Sequence, residues 1–174
     1  MDKYLTKIKS ILDNNGFERG TPIVESARLI FEAKKSKYPA NPPKEANDPT
    51  TKEGISNALA SELFARCRAL ATTTHFAHLS TDSFSEHSAL ATFYEEIVEE
   101  IDAFCEAYIG KFGKFITLPP IEATMEPAVD VILELLEWID KNRSLITEDS
   151  SLQNIIDEIS TLCNTTVYKL QKLK

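Results

Sequence analysis

The sequence predicts an all-α protein, a four-helix bundle over residues 51–174 with an N-terminal helical extension, and three observations carry that prediction. Apolar residues recur every three to four positions through long segments, the spacing of one helix face. Only five glycines occur in 174 residues, and most of the eight prolines fall in two places, so long stretches are free of helix breakers. No segment alternates apolar and polar residues in the two-residue rhythm of a strand.

Residues 2–14 space Tyr4, Leu5, Ile8, Ile11 and Leu12 as one helix, which stops at Asn14-Asn15-Gly16. A second helix over 21–37 has Thr21 as its N-cap and Pro22 at its first position, with Ile23, Ala27, Ile30 and Phe31 near one face. Residues 1–38 therefore read as a helical hairpin. Residues 39–50, with Pro39, Pro42, Pro43 and Pro49, read as a linker, because proline removes backbone donors and restricts the residue before it.

The main body opens at Thr50-Thr51-Lys52-Glu53, which has the form of a capping box, and the helix it starts runs to about residue 78. Ile55, Leu59, Leu63, Phe64, Cys67 and Leu70 supply its apolar side. A second box, Ser83-Phe84-Ser85-Glu86, opens a helix ending near Gly110. In it Leu90, Tyr94, Ile97, Ile101, Phe104 and Tyr108 alternate spacings of four and three, a seam suited to bundle packing. Residues 111–123, with Gly113 and Pro119-Pro120, form a connection. A third helix is expected over 125–143 and a fourth over 150–172. Short turns make each adjacent pair antiparallel. The connection between the pairs must then run the length of the bundle or hold a short helix of its own.

Charge and cysteine usage narrow the classes of function. The net charge is −8, which argues against a general DNA-coating or membrane-coating surface. Residues 1–50 hold nine Lys/Arg against seven Asp/Glu, and residues 51–174 hold ten against twenty. The acidic part suits cations, and the head is too weakly basic for a nucleic-acid arm. Cys67, Cys105 and Cys163 are odd in number, widely spaced and without a CxxC motif, the pattern of reduced thiols packed as small hydrophobes. The chain start lacks the uninterrupted apolar segment of a signal peptide, and no run approaches the ~20 apolar residues of a membrane span. A soluble, cytoplasmic protein is the expectation. No P-loop, GxSxG or GxGxxG is present, so nucleotide-binding and hydrolase readings find no support. Trp138 reads as a packing or interface residue.

The chemistry-bearing residues concentrate on two helices. His75, His78 and His87 fall within thirteen residues, where the first two helices of the bundle meet. His75 and His78, three apart, occupy neighbouring parts of one helix surface. The next helix carries Glu95, Glu99, Asp102 and Glu106 beside its apolar seam, with Glu95 and Glu99 reading as a solvated face. Imidazole nitrogen with carboxylate oxygen suits iron, zinc or manganese better than calcium, which prefers all-oxygen shells. Asp102 and Glu106, four apart, are spaced to hold one ion together. But Asp102 is fifteen residues from His87, more than ~20 Å along a straight helix. One ion bound by both requires two chains in antiparallel contact.

The segment from His75 to His87, with Asp102 and Glu106 beyond it, resembles the ferroxidase motif of the Dps family. Phe93-Tyr94 and the glycines Gly110 and Gly113 add to the likeness over residues 53–173. The variant written here also resembles uncharacterised phage-encoded Dps-like proteins, which implies a host cytoplasm or virion setting. The resemblance implies a ferritin-like bundle assembled as a homo-oligomer, a dimer at least and a dodecamer in the family. It implies an iron site, with one or two ions, formed by His75 and His87 of one subunit with Asp102 and Glu106 of another. Such a site oxidises Fe(II) for iron storage or peroxide protection, and Glu95 and Glu99 would line an acidic interior. His78 has no counterpart in that pattern, Phe76 stands where the family commonly has tryptophan, and Ala91 stands where many members have an acid. Two other readings remain open. One is a non-catalytic, phage-type interaction or structural protein on the same scaffold, with residues 1–50 touching a protein partner. The other is a purely structural zinc or manganese site.

Overall fold

The computed structural model describes residues 48, 50–113, 119–120 and 122–173. The expected hairpin over 1–38 lies outside the described residues, as does the linker over 39–50 apart from Asp48 and Thr50. The described chain forms four helices, α1 Lys52–Ser80, α2 Phe84–Phe112, α3 Ala128–Ile146 and α4 Ser150–Lys172, and contains no strand. None of these helices is long and apolar enough to cross a membrane.

The helix ends show how local chemistry sets the boundaries. Thr51, not Thr50, caps α1, accepting the Gly54 N–H at 3.0 Å. Thr50 turns outward instead, its hydroxyl and backbone N–H both donating to the Asp48 carboxylate. At the start of α2, Ser83 accepts the Glu86 N–H at 3.4 Å, one half of the expected box. The other half is relayed: the Ser83 N–H donates to the Thr81 hydroxyl, which donates to the Glu86 carboxylate. Thr81 thus joins the end of α1 to the start of α2 and fixes a turn of three residues, 81–83.

The end of α2 lies two residues past the expected Gly110, and α3 is shifted by three residues from the expected 125–143. α2 passes through Gly110 and stops at Gly113, which adopts φ 62° and donates its N–H to the Ile109 carbonyl. Left-handed backbone of this kind favours glycine, whereas Gly110 inside the helix costs only about 1 kcal/mol relative to alanine. α3 begins at Ala128 rather than 125 because Pro127 takes the N-cap position and disfavours helical backbone in Glu126 before it. Asp149 caps α4 by accepting the N–H groups of Ser151 and Leu152, and it also pairs with Lys111.

Packing places the helices in a ring. Among the described residues α1 packs on α2 and α3, and α4 packs on α2 and α3, while the diagonal pairs do not pack directly. Hydrogen bonds give the directions. Ser56, near the start of α1, meets the Tyr108 hydroxyl near the end of α2 and donates to the Ile146 carbonyl at the end of α3. The pairs Lys52–Glu148 and Lys111–Asp149 put the start of α4 at this same end. At the opposite end the Thr124 N–H donates to the Thr73 hydroxyl, late in α1 and just before α3. Every neighbouring pair in the ring is therefore antiparallel, α2 and α3 run parallel, and the connection between them returns along the bundle, as the helix order required.

The core follows most of the seam read from the sequence, but α2 buries Phe93 where Tyr94 was expected, and Ile55 of α1 is exposed. Leu63, Leu90, Phe93, Ile97, Ile101, Phe104, Ile132, Ile156 and Ile159 have no exposed surface. Trp138 is half-buried on α3, with the Arg66 guanidinium 5.0 Å above its ring, a cation–π contact between α1 and α3. Cys67, Cys105 and Cys163 are unpaired and buried. Burial pushes the Cys67 thiol well above the ordinary range, with the other two cysteines adding to it. It pushes Cys105 and Cys163 up to about 12, with the Asp102 charge contributing at Cys105. Thiolate is the reactive form, so a thiol-selective reagent at pH 8 is expected to label none of the three in the native protein and all three in urea. Labelling of the native chain at the urea rate would show that the core is not closed over them.

Candidate functional site

The three histidines gather where α1 ends and α2 begins. His75 and His87 are exposed and His78 is half-buried. The His78 and His87 rings stack with centroids 3.7 Å apart. Their Nδ1 atoms form a reciprocal clasp across the turn. His78 Nδ1–H donates to the His87 carbonyl at 2.9 Å, and His87 Nδ1–H donates to the His78 carbonyl at 3.0 Å. A carbonyl oxygen only accepts, so this geometry places a proton on each Nδ1. In the neutral ring it leaves the lone pair on Nε2.

Tyr94, two turns further along α2, closes the cluster. Its ring stacks on His75 at 4.4 Å and makes a T-shaped contact with His78 at 5.4 Å, and the His75 and His78 rings lie 6.1 Å apart. Asp82 lies in the turn and Glu86 in the first turn of α2, where Thr81 holds its carboxylate.

The carboxylates occupy the other part of α2. Asp102 and Glu106 are exposed, as are Glu95 and Glu99. α2 is one continuous helix from Phe84 to Phe112, so Asp102 stands roughly 22 Å along it from His87 and about 60° round it. Glu100, on the side of α2 facing α4, has its carboxyl pushed up by burial first and then by the charges of Glu158, Glu96 and Glu99. The single chain thus brings the histidines together and keeps Asp102 and Glu106 apart from them. Among the described residues of one chain, no group of three or more His, Cys, Asp or Glu side chains is placed to hold a metal ion.

Sequence reasoning missed the role of His78. The signal was present in the nine-residue spacing of His78 and His87 about a three-residue turn, but only the pairing of α1 with α2 turns that spacing into ring contact. It also used Tyr94 only as a seam residue, whereas the ring is half-buried and spends its face on His75.

An antiparallel ring of four helices with a histidine cluster at one end defines an α-helical bundle protein with a donor-rich turn. The chain belongs to the family of unknown function DUF5856, whose model matches residues 78–170, from His78 through most of α4. It is similar to the uncharacterised 14.6 kDa protein in the mobD-ri intergenic region of Enterobacteria phage T4. The two are 30% identical over 97 residues, 55% of this chain and 75% of that protein. No solved structure matches the chain. These findings overturn the resemblance to the Dps family. The matching model, which spans His78, His87, Asp102 and Glu106, is that of DUF5856, and the T4 relative is itself uncharacterised. The dodecameric cage and its acidic interior, expected only from that resemblance, lose their basis with it. The four-helix bundle stands on the structure itself.

Proposed function

We propose that the protein is a homo-oligomeric, metal-binding helical bundle that takes Fe(II) as its substrate at a site shared between two copies. His75 and His87 come from one copy and Asp102 and Glu106 from the other. The observation that supports this reading is the distribution of donors along α2: imidazoles at one end, exposed carboxylates about four turns away on the same side. A two-fold axis near Tyr94 and Glu95 pairs α2 with its copy in antiparallel fashion and sets each histidine end against the partner's carboxylate end. Closed two-fold contacts are the commonest form of self-association.

The donor set supports the choice of ion. Two imidazole nitrogens and two carboxylates form a mixed, borderline shell that suits Fe(II), Zn(II) or Mn(II) and leaves coordination positions for water or an oxidant. The carboxylates supply the negative charge that stabilises the ferric product over Fe(II), and electrons leave to dioxygen or peroxide. The His75→Ala/Asp102→Ala double variant is expected to lose Fe(II)-dependent peroxide consumption by at least tenfold while keeping its helical circular dichroism. Unchanged iron oxidation in that variant would sink the reading.

A second reading, an interaction protein without chemistry, draws on the apolar surface around the same turn. Leu79 is 66% exposed, Phe84 85% and Met125 81%. Met125 and the exposed Phe76 line one surface cleft, and contiguous apolar surface of this kind marks a contact site. If purified wild-type protein takes up neither Fe(II) nor Zn(II), this second reading stands and the first falls.

A further inference from the structure

The clasp between His78 and His87 assigns a task to the one histidine that the proposed ion does not use. We infer that His78 is a positioning residue for His87: its ring holds the His87 ring in a fixed plane, with Nε2 as the nitrogen left to bind a metal. The inference rests on the metal-binding reading above and deepens it.

Three features on α1 and α2 lead to it. His87 is exposed and sits in the first turn of α2, where a side chain with two free torsions would otherwise sample several rotamers. Its Nδ1–H is committed to the His78 carbonyl, which fixes the tautomer. Its ring face is covered by the His78 ring at 3.7 Å, which fixes the plane. The His78 ring is held in turn by its own Nδ1–H on the His87 carbonyl and by its T-shaped contact with Tyr94. Each ring therefore locks the other through main chain that belongs to a different helix. Imidazoles that ligate metals characteristically donate their second N–H to a carbonyl or carboxylate. That outer contact orients the ring, and its loss weakens metal affinity about 10–100-fold.

The assignment separates two effects of the His78 side chain. The tautomer of His87 depends on the backbone carbonyl of residue 78 and survives any substitution there. The plane of His87 depends on a flat ring at 78. An aromatic replacement keeps the stacking and an aliphatic one loses it. A phenyl ring has no nitrogen, so it preserves positioning while abolishing ligation by residue 78 itself.

The test uses the full-length chain, with Co(II) as the probe because its visible absorption reports on bound imidazole. In the metal-free protein, long-range proton–nitrogen NMR is expected to show Nδ1 protonated and Nε2 bare in both His78 and His87. Co(II) affinity is expected to fall about two- to tenfold in His78→Ala, the cost of re-immobilising one freed ring, to recover most of the way in His78→Phe, and to be lost in His87→Phe. Thermal melting of the two His78 variants serves as the stability control. A His78→Ala protein that binds Co(II) as tightly as wild type overturns the positioning role alone. So does a His78→Phe protein as impaired as His87→Phe, which would make residue 78 a ligand. A wild-type protein that binds no Co(II), with the NMR tautomers as expected, overturns the metal reading and leaves the clasp as a purely structural tie.

Discussion

Two inactive variants are expected to restore activity to each other when their chains are mixed. One carries His75→Ala and His87→Ala, the other Asp102→Ala and Glu106→Ala. Each alone lacks half of every shared site. In a mixed dimer one interface site draws its histidines from the second variant and its carboxylates from the first, and is complete. Its twin lacks all four donors. Random pairing yields half mixed dimers, so about a quarter of wild-type Fe(II) oxidation returns if the assembly is two-fold. The measurement is oxidation rate per chain after joint unfolding and refolding. No recovery, with mixed dimers demonstrated by mass, excludes a site shared between copies. The geometry leaves little room for compromise. α2 is unbroken between His87 and Asp102, and no bending of one helix closes a gap of roughly 22 Å.

Phe104→Ala is expected to cost about 3–5 kcal/mol of stability, read as a lower urea midpoint at unchanged slope. Phe104 has no exposed surface and faces the bundle interior beside Tyr108, with ring centroids 5.8 Å apart. Removing the ring leaves a cavity lined by side chains from rigid helices, which relax only in part. Phe84→Ala, on the same helix, supplies the contrast. Its ring is 85% exposed, so the change is expected to stay within about 0.5 kcal/mol in dilute protein. Equal losses at the two positions would mean that the packing of α2 is not as described.

Periodicity located four helices of the bundle, because burying one apolar face is enough to specify each of them. The return of the connection along the bundle was also legible, since two antiparallel pairs in this order need it. Helix ends were less so. Gly110 and Gly113 both look like stops, and only the backbone at 113 needs glycine. Pro127 delayed α3 by three residues because a proline at the cap position overrides the apolar pattern before it. Of the candidate donors, the histidine grouping was legible from chain position. The clasp was not, because it depends on which faces of α1 and α2 meet. Whether the carboxylates join the histidines depends on a second copy, which no single chain can display.

The alternating directions of the helices have an electrostatic consequence. Each helix carries about half a positive charge at its amino end and half a negative charge at its carboxyl end. Around this ring every neighbour opposes the next, so each end of the bundle presents two helix starts and two helix stops, and the backbone fields largely cancel. The field at the histidine end is then written by side chains alone. Asp82 and Glu86 lie beside the turn, Glu126 and Asp130 lie at the start of α3, and Lys169 and Lys172 lie at the end of α4, all at this end of the bundle. The reach of such charges is screened by salt over about 10 Å at 0.1 M, which makes the field at this end a property of the medium as much as of the fold.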